Sequence, residues 1–311
     1  MHFCSNCSNM YYIKLEEENL GKLLSRNLNL NAKEGYLGEW ISVISKSNNT
    51  KNTIKLAIVG KYVQLQDSYL SVKESLIHAG ISNNVEIQID WINSEEININ
   101  NTNDIFKDIK GIIVPGGFDK RGTQGMIYAS RYARENKIPY LGLCLGLQIM
   151  VIEAARNLLG YEDSNSTEFD ENTPFPVIDL MPEQLKNLHK GGSMRLGLYE
   201  CKIVDSTYTK KIYKSNKIKE RHRHRYEINN KYVKELKNVG LISSGVHPEG
   251  DLVEIMEYND HPFMIGVQFH PEFLSTPLNP HPLFVEFVKS ALNNKDIRSN
   301  KINNEKESQI S

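Results

Sequence analysis

From residue 54 onward the chain alternates short apolar runs with amphipathic stretches. Residues 54–59 form an apolar run ending in Gly60, the pattern of a buried parallel strand followed by a turn. Residues 68–79 have helical spacing, with Gly80 placed as a C-terminal cap. Residues 85–91 alternate as a half-exposed strand does, and the asparagine-rich stretch 92–103 reads as an inserted loop. A second short strand, 111–114, runs straight into Pro115-Gly116-Gly117. A helix over 125–136 follows, then a strand over 138–143 and a helix over 145–158. Far downstream, 263–269 is another apolar strand. Strand and helix at this spacing predict an α/β fold, a mostly parallel sheet with helices on both faces. In such sheets ligands bind at the carboxyl ends of strands.

The flanks differ. Residues 1–53 are polar and mixed, with a helix expected over 16–26, an amphipathic piece over 38–44 and a linker over 45–53. Residues 293–311 read as a disordered polar tail. That leaves 54–292 as the main domain, and 311 residues hold one large core of this kind. A formal net charge of −1 gives no electrostatic reason to expect nucleic acid or an anionic membrane as partner. The N-terminus lacks a secretory apolar stretch, and the apolar segment 138–151 is interrupted and too short to span a bilayer. A cytoplasmic location is expected. Four cysteines do not make a disulfide framework. Cys4-x-x-Cys7 has half the spacing of a zinc site but no second ligand pair, so no metal is expected.

The candidate chemistry lies at strand ends. Gly142-Leu143-Cys144-Leu145-Gly146 has the spacing of a nucleophile elbow, with small residues two before and two after the nucleophile. Cys144 would be thrust above the sheet at a helix N-terminus, where free N–H groups favour thiolate. By itself this pattern also fits a buried core cysteine. His270-Pro271-Glu272 closes the strand over 263–269. There His270 is placed to act as general base and Glu272 to orient it. A second His-Pro-Glu, His247-Pro248-Glu249, follows no comparable strand and reads as a surface loop. Two glycines after a strand leave bare N–H groups, so those of Gly117 and Leu145 could form an oxyanion hole. In Arg221-His222-Arg223-His224-Arg225 the three arginines share one face if the segment is extended, and one of them could clamp a substrate carboxylate.

Taken together, Pro115-Gly116-Gly117-Phe118, the elbow and His270-Pro271-Glu272 resemble a class I (triad) glutamine amidotransferase. Ala57-Ile58-Val59-Gly60-Lys61-Tyr62, Asn165-Ser166-Thr167-Glu168-Phe169, the run Gly191 to Gly197 and the run Glu220 to Glu227 are similar to the amidotransferase half of the CTP synthase family. The similarity covers residues 54–292, and residues 10–45 look like the end of that family's synthetase domain and its linker. The resemblance implies that Cys144 attacks the carboxamide of L-glutamine and that a glutamyl thioester is hydrolysed to glutamate. Gly117 and Leu145 would bind the oxyanion, while Gln148, Glu168 and Arg225 would hold the amino-acid end of the substrate. Ammonia would pass to a synthetase domain that uses ATP, UTP and magnesium, and GTP would stimulate the glutaminase step. No cofactor is implied for this chain itself. Two departures stand out: Asp119 replaces the family's usual glycine, and the chain has neither a P-loop nor room for a synthetase domain. A monomer or weak dimer is expected. Amidotransferases serving another acceptor, hydrolases of related fold, and a non-catalytic regulatory module are the competing readings. The histidine that follows the nucleophile in related peptidases is Leu145 here.

Overall fold

The computed structural model describes residue 11 and residues 13–31, 37–50, 52–180, 194–249 and 252–294. A nine-stranded sheet forms its centre. The strands are β1 (Asn52–Gly60), β2 (Val85–Asn93), β3 (Gly111–Val114), β4 (Tyr140–Leu143), β7 (Arg195–Ile203), β8 (Lys217–His224), β10 (Leu241–Val246), β11 (Val253–Tyr258) and β12 (Met264–Val267). Their spatial order is β2-β1-β3-β4-β12-β11-β10-β7-β8. From β2 to β12 neighbours run parallel, and from β12 to β8 they run antiparallel. A small second sheet joins β5 (Asn165–Ser166), β6 (Pro176–Leu180) and β9 (Tyr226–Ile228).

Period-two alternation divides the apolar side chains between two layers. Leu56, Ile58, Ile113, Leu141 and Leu143 point to one face, covered by helices α3 (Leu70–Ser82) and α9 (Pro282–Asn293), with the short α7 (Tyr208–Tyr213) packed against the same layer. Ala57, Val59, Ile112, Val114 and Tyr140 point to the other, covered by α5 (Thr123–Glu135), α6 (Leu145–Asn157) and α8 (Asn230–Asn238). The central strands are short and apolar throughout because both faces are covered.

Several local expectations shift. The helix expected over 16–26 is interrupted at Asn19, which has φ 59°, and resumes as α1 (Leu20–Asn27). The amphipathic piece from Gly38 runs on as α2 (Gly38–Asn48), and β1 starts at Asn52, so the linker expected over 45–53 is mostly helix and strand. Residues 92–103 are not one loop: β2 continues to Asn93, a 3-10 turn covers Ser94–Glu96, and α4 (Thr102–Phe106) begins at Thr102. Gly80 does not end α3, which continues to Ser82. It is where the helix meets β2, since a Cβ there would lie 2.7 Å from Ile87 Cγ1. Cys4, Cys7, the run 191–193 and residues 295–311 lie outside the described residues.

Phe287 of α9 is fully buried against Phe263, with ring centroids 5.6 Å apart. A Cβ on Gly111 would come within 2.8 Å of its ring. Replacing Phe287 by alanine should cost about 3–5 kcal/mol of stability. Urea unfolding should show this as a lower midpoint at unchanged slope, and an unchanged midpoint would contradict the packing described.

Candidate active site

Three neighbouring parallel strands deliver the site. β3 leads into Pro115-Gly116-Gly117, β4 into Cys144 and β12 into the segment 268–272, in the spatial order β3-β4-β12. Cys144 has φ 52° and ψ −98°, a strained conformation for a residue with a side chain. Its N–H donates to Val267 O at 2.7 Å, fixing the turn to β12. The tightness of the bend explains the elbow glycines. A Cβ on Gly146 would stand 2.1 Å from Val114 O, and one on Gly142 would stand 2.5 Å from Gly146 C. No substituted residue fits at either position without moving backbone.

His270 and Glu272 are both largely buried, and Nδ1 of the imidazole lies 2.7 Å from Glu272 Oε1. Burial pulls the imidazole pKa down. The Cys144 sulfur and the Glu272 carboxylate outweigh that, and the pKa is pushed up to about 11. A Cβ on Gly116 would meet His270 Cε1 at 2.8 Å and Cys144 Cβ at 3.6 Å, so the imidazole and the cysteine flank this glycine. Neither the Gly117 nor the Leu145 N–H has a main-chain partner among the described residues. The Leu145 N–H opens α6, at the positive end of the helix.

A cavity of about 350 Å³ opens beside Cys144 and is lined in part by Gly117, Gln148, Glu168, Met194 and Arg225. The small sheet assembles its far wall. Glu168 follows β5, and Arg225 sits where the chain leaves β8 for β9. Gln148 donates through Nε2 to Tyr226 O at 3.0 Å. Glu168 Oε1 accepts the Asp119 N–H at 2.9 Å, and burial raises the Glu168 pKa. A second cavity of about 470 Å³ also reaches Cys144, bordered by Tyr62, Phe118, Arg223, His270 and Phe273. Every residue anticipated for the site therefore gathers around Cys144, while His247 and Glu249 belong to a separate loop in which the Glu249 N–H donates to His247 Nδ1.

Two features escaped the sequence reading. Gln268 is fully buried and donates through Nε2 toward Cys144 Sγ at 3.6 Å. It lies two residues before His270, a spacing that puts both on one face of a strand and could have flagged it. The other is a buried pair under the arginine-rich strand. His222 Nδ1 and His224 Nε2 lie 2.8 Å apart, with Glu254 and Glu227 beyond them at 3.7 Å each. Burial drives the histidines down, to about 2 and about 3 respectively, and drives Glu227 up to about 7.

The fold agrees with the comparisons. A profile described as glutamine amidotransferase class-I matches residues 64–290, and the chain belongs to that family. Among curated relatives, a CTP synthase of Caldanaerobacter subterraneus is 51% identical over 91% of this chain and 53% of its own length. One of Dehalococcoides mccartyi is 52% identical over 93% and 54%. The chain thus spans about half the length of these relatives. The glutaminase domain of Trypanosoma brucei CTPS, solved with bound acivicin, superposes with a TM-score of 0.73 at 40% identity, covering 77% of this chain and 94% of that one. Among the described residues no helix is long and apolar enough to cross a membrane.

His270 should remain protonated at pH 8 in an imidazole ¹⁵N titration, because its folded pKa is raised far above 6.5 and the proton leaves only as pH climbs toward about 11. Replacing Cys144 by serine removes the largest raising influence and should lower that value. His222 and His224 should stay neutral throughout. A wild-type His270 titrating near 6.5 would contradict the ion-pair description.

Proposed function

We propose that this chain hydrolyses L-glutamine to glutamate and ammonia. The observation that carries the reading is the convergence of Cys144, His270 and Glu272 at adjacent strand ends beside a cleft holding Arg225 and Glu168. In this reading Arg225 clamps the α-carboxylate, Glu168 pairs with the α-ammonium and Gln148 closes the pocket floor.

Cys144 Sγ adds to the carboxamide carbon, and the oxygen's negative charge is met by the N–H groups of Gly117 and Leu145. Each such donor contributes roughly 2.7–4 kcal/mol at the transition state. His270, charged beside the thiolate and held by Glu272, delivers its proton to the nitrogen as the C–N bond breaks. A γ-glutamyl thioester and ammonia result. His270, now neutral, takes a proton from the attacking water. The C–S bond breaks, glutamate leaves, and the imidazolium–thiolate pair is restored. In this reading ammonia leaves through the cavity bordered by Arg223 and Phe273, which also reaches Cys144.

The curated relatives suggest where the ammonia goes. The proposed recipient is a synthetase domain that aminates UTP to CTP at the expense of ATP, with the work done in the cytoplasm.

Glutamate release should be measured on the purified chain with and without GTP. Turnover should vanish in Cys144→Ala, and Arg225→Ala should raise KM roughly 10- to 100-fold with a smaller effect on kcat. Turnover persisting in Cys144→Ala would overturn the assignment.

A further inference from the structure

The loop that carries the Gly117 N–H is tied down by contacts that the triad itself does not require. Gly116 and Gly117 leave this stretch of backbone free to rotate, so something downstream must fix it. The Phe118–Asp119 peptide unit is held at both ends. Its carbonyl accepts from Lys61 Nζ, and its N–H donates to Glu168 Oε1 at 2.9 Å. Lys61 Nζ also reaches the next carbonyl, that of Asp119, and lies 3.5 Å from Asp119 Oδ1.

The lysine is itself anchored. Its side chain is fully buried at the end of β1, and Tyr69 Oη accepts its main-chain N–H at 3.2 Å. Asp119 occupies the left-handed region, with φ 63°. Its carboxylate accepts the Arg121 N–H at 2.7 Å, and Arg121 pairs with Glu95 at 3.3 Å. A buried ammonium given over to two successive carbonyls fixes two successive peptide planes. A lysine that merely paired with a carboxylate would fix neither.

We propose that Lys61 is a positioning residue for the oxyanion hole: together with Glu168 it locks the Phe118–Asp119 peptide and so keeps the Gly117 N–H aimed at the oxygen borne by the carbon that Cys144 attacks. Because Glu168 also lines the glutamine cleft, filling that cleft bears on the same peptide. This inference rests on the glutaminase reading above.

Two reagents separate the roles. A glutamine analogue bearing a chloromethyl ketone reacts through an addition step that needs the oxyanion donors, whereas iodoacetamide alkylates Cys144 by direct displacement and needs none. Lys61→Met should slow labelling by the analogue on the order of 10- to 100-fold and leave alkylation by iodoacetamide within about threefold of the unsubstituted rate. Should Lys61→Met not fold, Asp119→Pro serves as the second variant, since it deletes the N–H that Glu168 accepts and forbids the left-handed φ on a surface loop. The same selective loss is expected. Unchanged labelling by the analogue, or equal loss with both reagents, would overturn the positioning role alone. If the unsubstituted chain takes iodoacetamide but not the analogue, the glutaminase reading fails and this inference falls with it.

Discussion

The whole site depends on one close approach, that of the first turn of α6 against the carboxyl ends of β3 and β4. Gly146 lies so near the Val114 carbonyl that a Cβ would stand 2.1 Å away, and a Cβ on Gly142 would stand 2.5 Å from the Gly146 backbone. Only with both side chains absent can the chain turn from strand to helix within one residue. That residue is Cys144, which absorbs the turn as φ 52°. Its N–H bond to Val267 then ties the elbow to β12, the strand that brings His270. The relative placement of Cys144 and His270 is thus decided by backbone packing before any side-chain interaction between them.

Burial does the rest, with opposite results for different histidines. His222 and His224 are enclosed with a carboxylate no nearer than 3.7 Å to either ring, and desolvation keeps them neutral. His270 is also enclosed, but it has the Cys144 sulfur beside it and a carboxylate 2.7 Å away, and its pKa is pushed up to about 11. An imidazole protonated at rest suits the proton delivery proposed for it. On the arginine-rich segment the histidines face inward, while Arg223 and Arg225 border the two cavities around Cys144.

Much of this could be read from the sequence, because the decisive features are local. The elbow, the strand-terminal His270-x-Glu272 and the paired glycines at 116 and 117 are each written within five residues. The parallel core was legible from its short apolar runs, since strands covered on both faces have no other pattern. What could not be read depends on contacts across long separations. Lys61 reaches carbonyls 57 and 58 residues away, and nothing in Gly60-Lys61-Tyr62 announces that. Gln268 carries a hint in its spacing from His270, but its approach to Cys144 needs β12 to lie beside β4. Gly80 looked like a helix stop because glycine is so often one, whereas β2 requires it bare where the helix passes.

The central claim is a covalent one, and mass spectrometry tests it most directly. The chain is mixed with L-glutamine, quenched in acid within the first turnovers and digested. A mass increase of one γ-glutamyl group on the peptide containing Cys144, absent when L-asparagine replaces glutamine, is the predicted result. Glutamate release without any adduct on that peptide, or an adduct mapped instead to Cys201, the other free buried cysteine among the described residues, would contradict the account.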